Sequence, residues 1–356
     1  MVKDRIVVVG GYGAVGSILC RELGYRFPGK VYAAGRSLER AERFSRETEG
    51  RVLPMRLDIG RPVAPEALAG VKLVVMCLDQ RDASFVRACF RSGAHYIDVS
   101  ANISFLAQVE RLREEAERGG STAVMNVGLA PGVTNLLALE AYRRLDRTEA
   151  IEITILLGLG DRHGQAAVEW TVDNLGASFE IVRQGSAEIV GSFTDARSAN
   201  LGDAIGRKRA YRFPFSDQRS LPRTLGVPSV STRLCLDSAV VTATLAGARK
   251  LGLHRLLKLK PLRSAAVACF GRVHLGSERF VVQVEAIGEK DGQAATAVYR
   301  LQGSQQSELT ARCALDAAEA VYLAAMPPGV FSIEQLLDWQ KMSRLNEEKL
   351  ELEVRS

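Results

Sequence analysis

The sequence has no long apolar run. Its longest stretches are short ones such as Val71–Leu78, broken by Lys72, far below the roughly 20 apolar residues a membrane helix needs. Lys3, Asp4 and Arg5 precede a run, Ile6–Val9, that ends at Gly10. That run is too short for a secretory segment, so a cytoplasmic location is expected. Six cysteines (Cys20, Cys77, Cys89, Cys235, Cys269, Cys313) form no C-x-x-C pair, and four histidines are dispersed with no H-E-x-x-H. Neither pattern encodes a metal site, and the cysteines read as reduced and mostly buried. Blocks of like charge are missing too. The 47 Lys and Arg and 41 Asp and Glu leave a net charge of +6, and segments such as Glu110–Arg118 (ERLREEAER) interleave both signs. A solvated helix face explains that segment, and no nucleic-acid or membrane partner is expected. The small positive excess favours an anionic ligand.

The chain has the makings of ordinary folded domains. With 356 residues, 47% hydrophobic and 25% charged, it lacks the signature of disorder and has length for about two domains. Residues 5–10 read as a buried strand, followed by Gly10-Gly11-Tyr12-Gly13-Ala14-Val15-Gly16 and a helix. Further strands are expected at Lys30–Ala34, Val52–Leu57, Leu73–Leu78 and His95–Val99. Helices are expected at Leu38–Glu47, with Ser37 as its cap, and at Ala83–Ser92. Near-continuous apolar strands alternating with helices predict an α/β class, a Rossmann-type parallel sheet covered on both faces.

Beyond residue 150 the rhythm changes to a second, α+β domain with a mostly antiparallel sheet. Its strands are expected at Ile151–Leu159, Ser186–Phe193, Ala210–Phe215, Phe280–Ile287 and Ala295–Gln302, with helices near Val168–Val182 and Val240–Leu251. A helix over Ser307–Ala325 should stop at Pro327-Pro328-Gly329, and Ser332 with Gln335 has capping-box spacing. The charged tail Asn346–Ser356 reads as frayed or exposed.

Gly11-x-Gly13-x-x-Gly16 follows an apolar strand and opens a helix, the context in which such a turn binds a dinucleotide. The first glycine permits the tight turn, the second admits a pyrophosphate, and the third lets helix and strand pack closely. Tyr12, Ala14 and Val15 lie in the same turn, where unpaired N–H groups at the helix start face the phosphates. An NAD site usually carries an acid about 20 residues on, for the ribose hydroxyls. Here that place reads Ala34-Gly35-Arg36-Ser37. Arg36 can pair with a 2′-phosphate and Ser37 can donate to it, so NADP is the expected cofactor. Asp58, after the third strand, reads either as an adenine contact or as a turn residue.

Taken together, GGYGAVG, VVMCL at Val74–Leu78, HYIDVS at His95–Ser100 and GLAPGVTNLLA at Gly128–Ala138 resemble the saccharopine dehydrogenase family, nearest its saccharopine reductase and carboxynorspermidine synthase branch. The resemblance implies an NADP(H)-binding Rossmann domain and an α+β domain that covers the cleft and forms a homodimer. It also implies reduction of an imine, formed from an amine and a carbonyl compound, to a secondary amine. Carried over, it sets Cys77 and Leu78 beside the nicotinamide ribose and Asp98 at the end of the fifth strand. Gly132 and Asn135 then lie along the nicotinamide, Asn135 as a substrate contact. Asp98 reads equally as a catalytic group or a turn residue, and Gly132 also as turn punctuation. The expected domains are 1–132, binding NADP; 133–306, for substrate and dimerisation; and 307–356, C-terminal helices packing back on the first.

The middle domain departs from the family pattern at Gly158–Gly164 and Glu169–Asn174. His163, in a Gly-rich loop after a strand, is the candidate general acid, with an ordinary loop histidine as the alternative. Trp170 is a candidate substrate contact that also suits a core. Arg219 and Arg223, in SDQRSLPRTLG, can hold a substrate carboxylate or stand as surface loop charges. The reading is an NADPH-dependent reductase of an imine between an amine and an oxo acid, small molecules both. Reduction of a C=C or C=O bond in a secondary metabolite, or a non-catalytic NADP-binding regulator, are the alternatives.

Overall fold

A computed structural model describes residues 2–100, 102–161, 165–272, 276–346 and 349–355. It divides into two compact units, Met1–Val133 with Ser307–Leu345, and Thr134–Gln306 with Asn346–Ser356.

In the first unit, β1 (Arg5–Val9), β2 (Val31–Gly35), β3 (Val52–Arg56), β4 (Val71–Met76), β5 (His95–Asp98) and β6 (Thr122–Met125) form a parallel sheet. Its order is Gly329–Ser332, β6, β5, β4, β1, β2, β3. The order 3-2-1-4-5-6 is that of the dinucleotide-binding Rossmann fold. Ile6, Val8, Leu73 and Val75 are wholly inaccessible because helices cover both faces, which is why these strands read as unbroken apolar runs. Helix α1 (Ala14–Arg26) buries Gly16, Leu19, Cys20 and Leu23, one stripe at helical spacing. Helix α2 (Leu38–Glu47) starts where the Ser37 hydroxyl accepts the Arg40 N–H, as its sequence announces. Phe90, Tyr96 and Phe105 fill the core beside the central strands. Each large apolar side chain so buried stabilises the unit by about 1.5–3 kcal/mol.

After the helix Gln306–Leu323 the chain adds a parallel strand, Gly329–Ser332, alongside β6. The Pro-Pro-Gly stop conceals this strand, since it leaves only a short stretch before the next cap. Ser332 then caps the helix Ile333–Leu336 through the anticipated capping box with Gln335.

In the second unit, β7 (Arg147–Leu157), β8 (Ser178–Arg183), β9 (Ser186–Gly191), β10 (Arg197–Asn200), β11 (Arg207–Arg212), β12 (Ser229–Leu236), β13 (Arg279–Lys290) and β14 (Gln293–Ser304) occur in turn. The main sheet runs β10, β11, β12, β7, β13, β14 and Lys349–Arg355. Its strands pair antiparallel except β7 with β12. Ile153 opposite Val284 and Ile155 opposite Val282 lie in the strands that pack against the helix Thr134–Tyr142, while the helix Asp217–Leu225 packs on β12.

Several local expectations need correction. The helix expected over Val168–Val182 is Gln165–Asn174; past Gly176, the residues Phe179, Ile181 and Val182 favour a strand and pair with β9 in a separate hairpin. SDQRSLPRTLG is no surface loop but the helix Asp217–Leu225, with Pro222 inside it. The tail does not fray. Lys349–Arg355 pairs with β14, Leu352 opposite Tyr299, and so is a strand of the second unit's sheet rather than part of a C-terminal helical block. Its alternation of charged and aliphatic residues decides this over its charge content.

Candidate functional site

The site elements of the first unit gather at the carboxyl ends of its parallel strands, where ligands of open α/β sheets bind. From β1 the chain turns through Gly10, whose φ of +80° needs glycine. The Gly13 N–H donates to the Gly10 carbonyl at 2.8 Å. A Cβ on Gly11 would stand 2.8 Å from the Ala33 Cα, and one on Gly16 would stand 2.2 Å from the Gly10 oxygen. These two glycines exist for packing. Gly13 differs: a Cβ there would meet only the Gly10 oxygen, at 3.1 Å. Gly13 is the N-cap of α1 and offers no side-chain acceptor, so the first-turn N–H groups of Ala14, Val15 and Gly16 are left for an anion. The turn is open at Gly13 and closed at Gly11 and Gly16.

At the end of β2, Gly35 admits the Tyr12 ring, whose hydroxyl accepts the Ser37 N–H at 3.3 Å. The Arg40 guanidinium lies 4.7 Å from the centre of that ring. Arg36 is exposed and no carboxylate occupies positions 34–37. Asp58 takes up the turn role, its Oδ1 accepting the Gly60 N–H at 3.1 Å, with Arg61 at 3.5 Å.

Past β4, the Cys77 N–H donates to the Val9 carbonyl, and Leu78 lies against Gly10 with its side chain partly exposed. Burial and the Asp98 charge push the Cys77 thiol up to about 12, so it remains a neutral thiol at physiological pH. Asp98 ends β5 fully buried. Its Oδ1 accepts the Ser100 N–H at 2.7 Å, and its Oδ2 accepts the Tyr96 hydroxyl at 2.5 Å and the Gln80 amide at 3.3 Å. Burial raises this carboxyl to about 6, against the pull of those hydrogen bonds. Gln80 Oε1 and Ser100 Oγ are buried without a hydrogen-bond partner among the described residues. Beyond β6, the Asn126 amide donates to the Ser332 hydroxyl at 2.8 Å, which in turn donates to Glu334. Gly132, at φ +131°, lies in the following turn, where a Cβ would stand 3.1 Å from the Asn126 oxygen.

Residues 6–124 match the saccharopine dehydrogenase NADP binding domain. That stretch is a domain of the saccharopine dehydrogenase NADP-binding type. NADP is its cofactor and the protein is an oxidoreductase. The chain is similar in fold to the apo saccharopine dehydrogenase (L-Glu forming) of Saccharomyces cerevisiae, with a TM-score of 0.71 at 12% identity over 99% of this chain and 100% of that one. The amine dehydrogenase of Mycobacterium smegmatis aligns at TM-score 0.49 and 13% identity, covering 94% and 96% of the two chains. The DAP dehydrogenase of C. glutamicum, in complex with DAP, aligns at 0.47 and 15%, covering 98% and 97%.

In the second unit, Asn135 is inaccessible and its amide donates to the Ser220 hydroxyl at 3.0 Å. Trp170 packs edge-on against Phe213, 5.3 Å between ring centres, and against Phe215. Arg219 and Arg223 share a face of the helix Asp217–Leu225, where Arg223 Nε donates to the Arg219 carbonyl at 3.3 Å. His163 lies outside the described residues. The loop leading toward it is anchored by Asp237, which accepts the N–H groups of Leu159, Ser238 and Ser277.

Sequence reasoning missed Tyr96, Gln80 and Asp237. Tyr96 carries a signal, since residues two apart on a strand share a face and Asp98 follows it at that spacing. Gln80 and Asp237 carry none, because their partners come from distant segments.

Proposed function

We propose that the protein reduces an imine formed from an amine and an oxo acid to a secondary amine, with NADPH as the reductant. The observation that carries this reading is a saccharopine dehydrogenase NADP-binding domain in a chain that shares the fold of a saccharopine dehydrogenase over its full length. NADPH supplies the hydride when bound. The chain's own part is to hold phosphates at the N-terminus of α1, to pair Arg36 with the 2′-phosphate, and to orient the reacting carbon. Asp98, being fully buried, is a positioning residue in this scheme. It fixes Ser100 and Tyr96 at the end of β5. His163 is the proposed proton donor to the substrate nitrogen, and Arg219 the partner of a substrate carboxylate. Reduction of the protonated imine asks little more of the protein than this.

The test is NADPH oxidation with an amine plus an oxo acid, with each alone and with neither. Oxidation that requires both supports the reading. Equal rates with the carbonyl compound alone assign a C=O reductase instead.

A further inference from the structure

Five leucines stand exposed within Leu251–Leu262. Leu251, Leu253, Leu256, Leu259 and Leu262 each keep between 43% and 76% of their surface accessible. The stretch links the helix Ala239–Lys250 to the helix Lys260–Arg272 through a 3-10 segment, Leu253–Lys258. Side chains three apart eclipse in such a segment, so Leu253 and Leu256 line one edge. Leu259 and Leu262 continue the same spacing. Isolated exposed leucines are ordinary, whereas a run of this kind marks an interaction surface.

The charge around it has one sign. Residues 238–277, between Asp237 and Glu278, contain seven Lys or Arg and no Asp or Glu. Lys250, Arg255, Lys258 and Lys260 alternate with the leucines and are exposed. The carboxylates that approach from outside, Asp173 and Glu169, are both engaged by Arg263, at 2.6 and 3.7 Å. His254 faces Arg249 rather than an acid.

We propose that this surface seats on an anionic lipid bilayer, with the leucines at the acyl boundary and the cations among the headgroups. Apolar side chains interleaved with Lys and Arg are what interfacial attachment requires. The attachment is peripheral, since no described helix is long and apolar enough to cross a membrane. Charge selects this occupant over a second copy of the same surface, which would oppose cations to cations with no acid between them.

The experiment uses the full chain with NADP and sedimentation with vesicles of phosphatidylcholine alone or with about one third phosphatidylserine. The protein should pellet with the anionic vesicles at low salt and bind at least about tenfold more weakly to neutral vesicles or in molar salt. Leu256→Ser with Leu259→Ser, and separately Lys258→Ala with Lys260→Ala, should each weaken binding about tenfold. Both pairs are exposed, so NADP affinity and the unfolding midpoint should not move. Protein that remains in the supernatant with anionic vesicles, or double variants that pellet as well as the unmodified chain, would overturn the proposal. So would a dimer in analytical ultracentrifugation that dissociates in the leucine variant, which would assign the patch to a second copy.

Discussion

Gly13 and Gly16 share one turn, yet a side chain at each should fail in a different way. At Gly16 a methyl group would stand 2.2 Å from the Gly10 oxygen and 2.9 Å from the Gly11 Cα. Those are backbone atoms held by the sheet, so no side chain can swing aside. Overpacking of this kind costs about 1–3 kcal/mol, equivalent to a fall in Tm of about 2–4 °C per kcal/mol for a unit of this size. Gly13 has φ −87° and ψ −178°, extended backbone that any residue adopts. The Cβ of a valine there meets only the Gly10 oxygen, so the fold should stay near its original stability, apart from a poorer cap worth up to about 1 kcal/mol. It does, however, fill the space a pyrophosphate must enter. NADP at a hundred times its Kd stabilises the unmodified protein by about 2.7 kcal/mol. In Gly13→Val that increment should vanish. In Gly16→Ala the protein should start from a lower Tm and still gain on adding NADP. Calorimetric scans of the three proteins with and without NADP, together with fluorescence titrations, measure both quantities. A Gly13→Val protein that keeps its NADP-dependent gain would refute the assignment of Gly13 to the cofactor and reduce the motif to a structural turn.

Three further outcomes are expected. Arg36→Ala should weaken NADP binding by about 1.5–3 kcal/mol, the worth of a hydrogen bond to a charged group, and spare NAD; equal titration curves for the two cofactors in the unmodified protein would sink that assignment. Asp98 titrates at about 6 when folded and at about 3.9 when unfolded. Its contribution to stability is therefore full below about pH 4 and lost as pH rises through 6, about 3 kcal/mol in all. Urea unfolding should show Asp98→Asn lacking that decline, and an unchanged slope would assign it to another group. His163→Ala should lower kcat by about 10²–10⁴-fold with NADP binding retained, whereas normal turnover across the pH range would leave water as the proton source.

The Rossmann half was legible because its determinants are local. Ile6–Val9 and the run Leu73, Val74 and Val75 are apolar without interruption, and Ser37 and Ser332 announce their helices through their own side chains. β12 was illegible for the opposite reason. Ser231 and Arg233 interrupt its apolar pattern, and what makes them tolerable comes from far along the chain. Arg233 bonds Asp195 at 3.0 Å and also Glu152, while Arg212 donates to Ser231 at 3.0 Å. An arginine with only 5% of its surface accessible belongs in a strand only once those partners are placed, and no window of sequence contains them.

The site follows the same division. Glycine packing is set by backbone sterics within a few residues, so the packing roles of Gly11 and Gly16 could be read from their spacing alone. Asp98 could not, since its residue type suits both a turn and a reactive acid. Only the turn half of that ambiguity is seen in this side chain. Oδ1 holds the Ser100 N–H as a turn residue does, while Oδ2 receives the Tyr96 hydroxyl and the Gln80 amide inside the core. The turn bond is local and could be anticipated. Burial with Tyr96 and Gln80 comes from the tertiary fold, and it is burial that moves the carboxyl toward neutrality. A proton affinity so produced is a property of the packed sheet, which is why the position of the acid was readable and its chemistry was not.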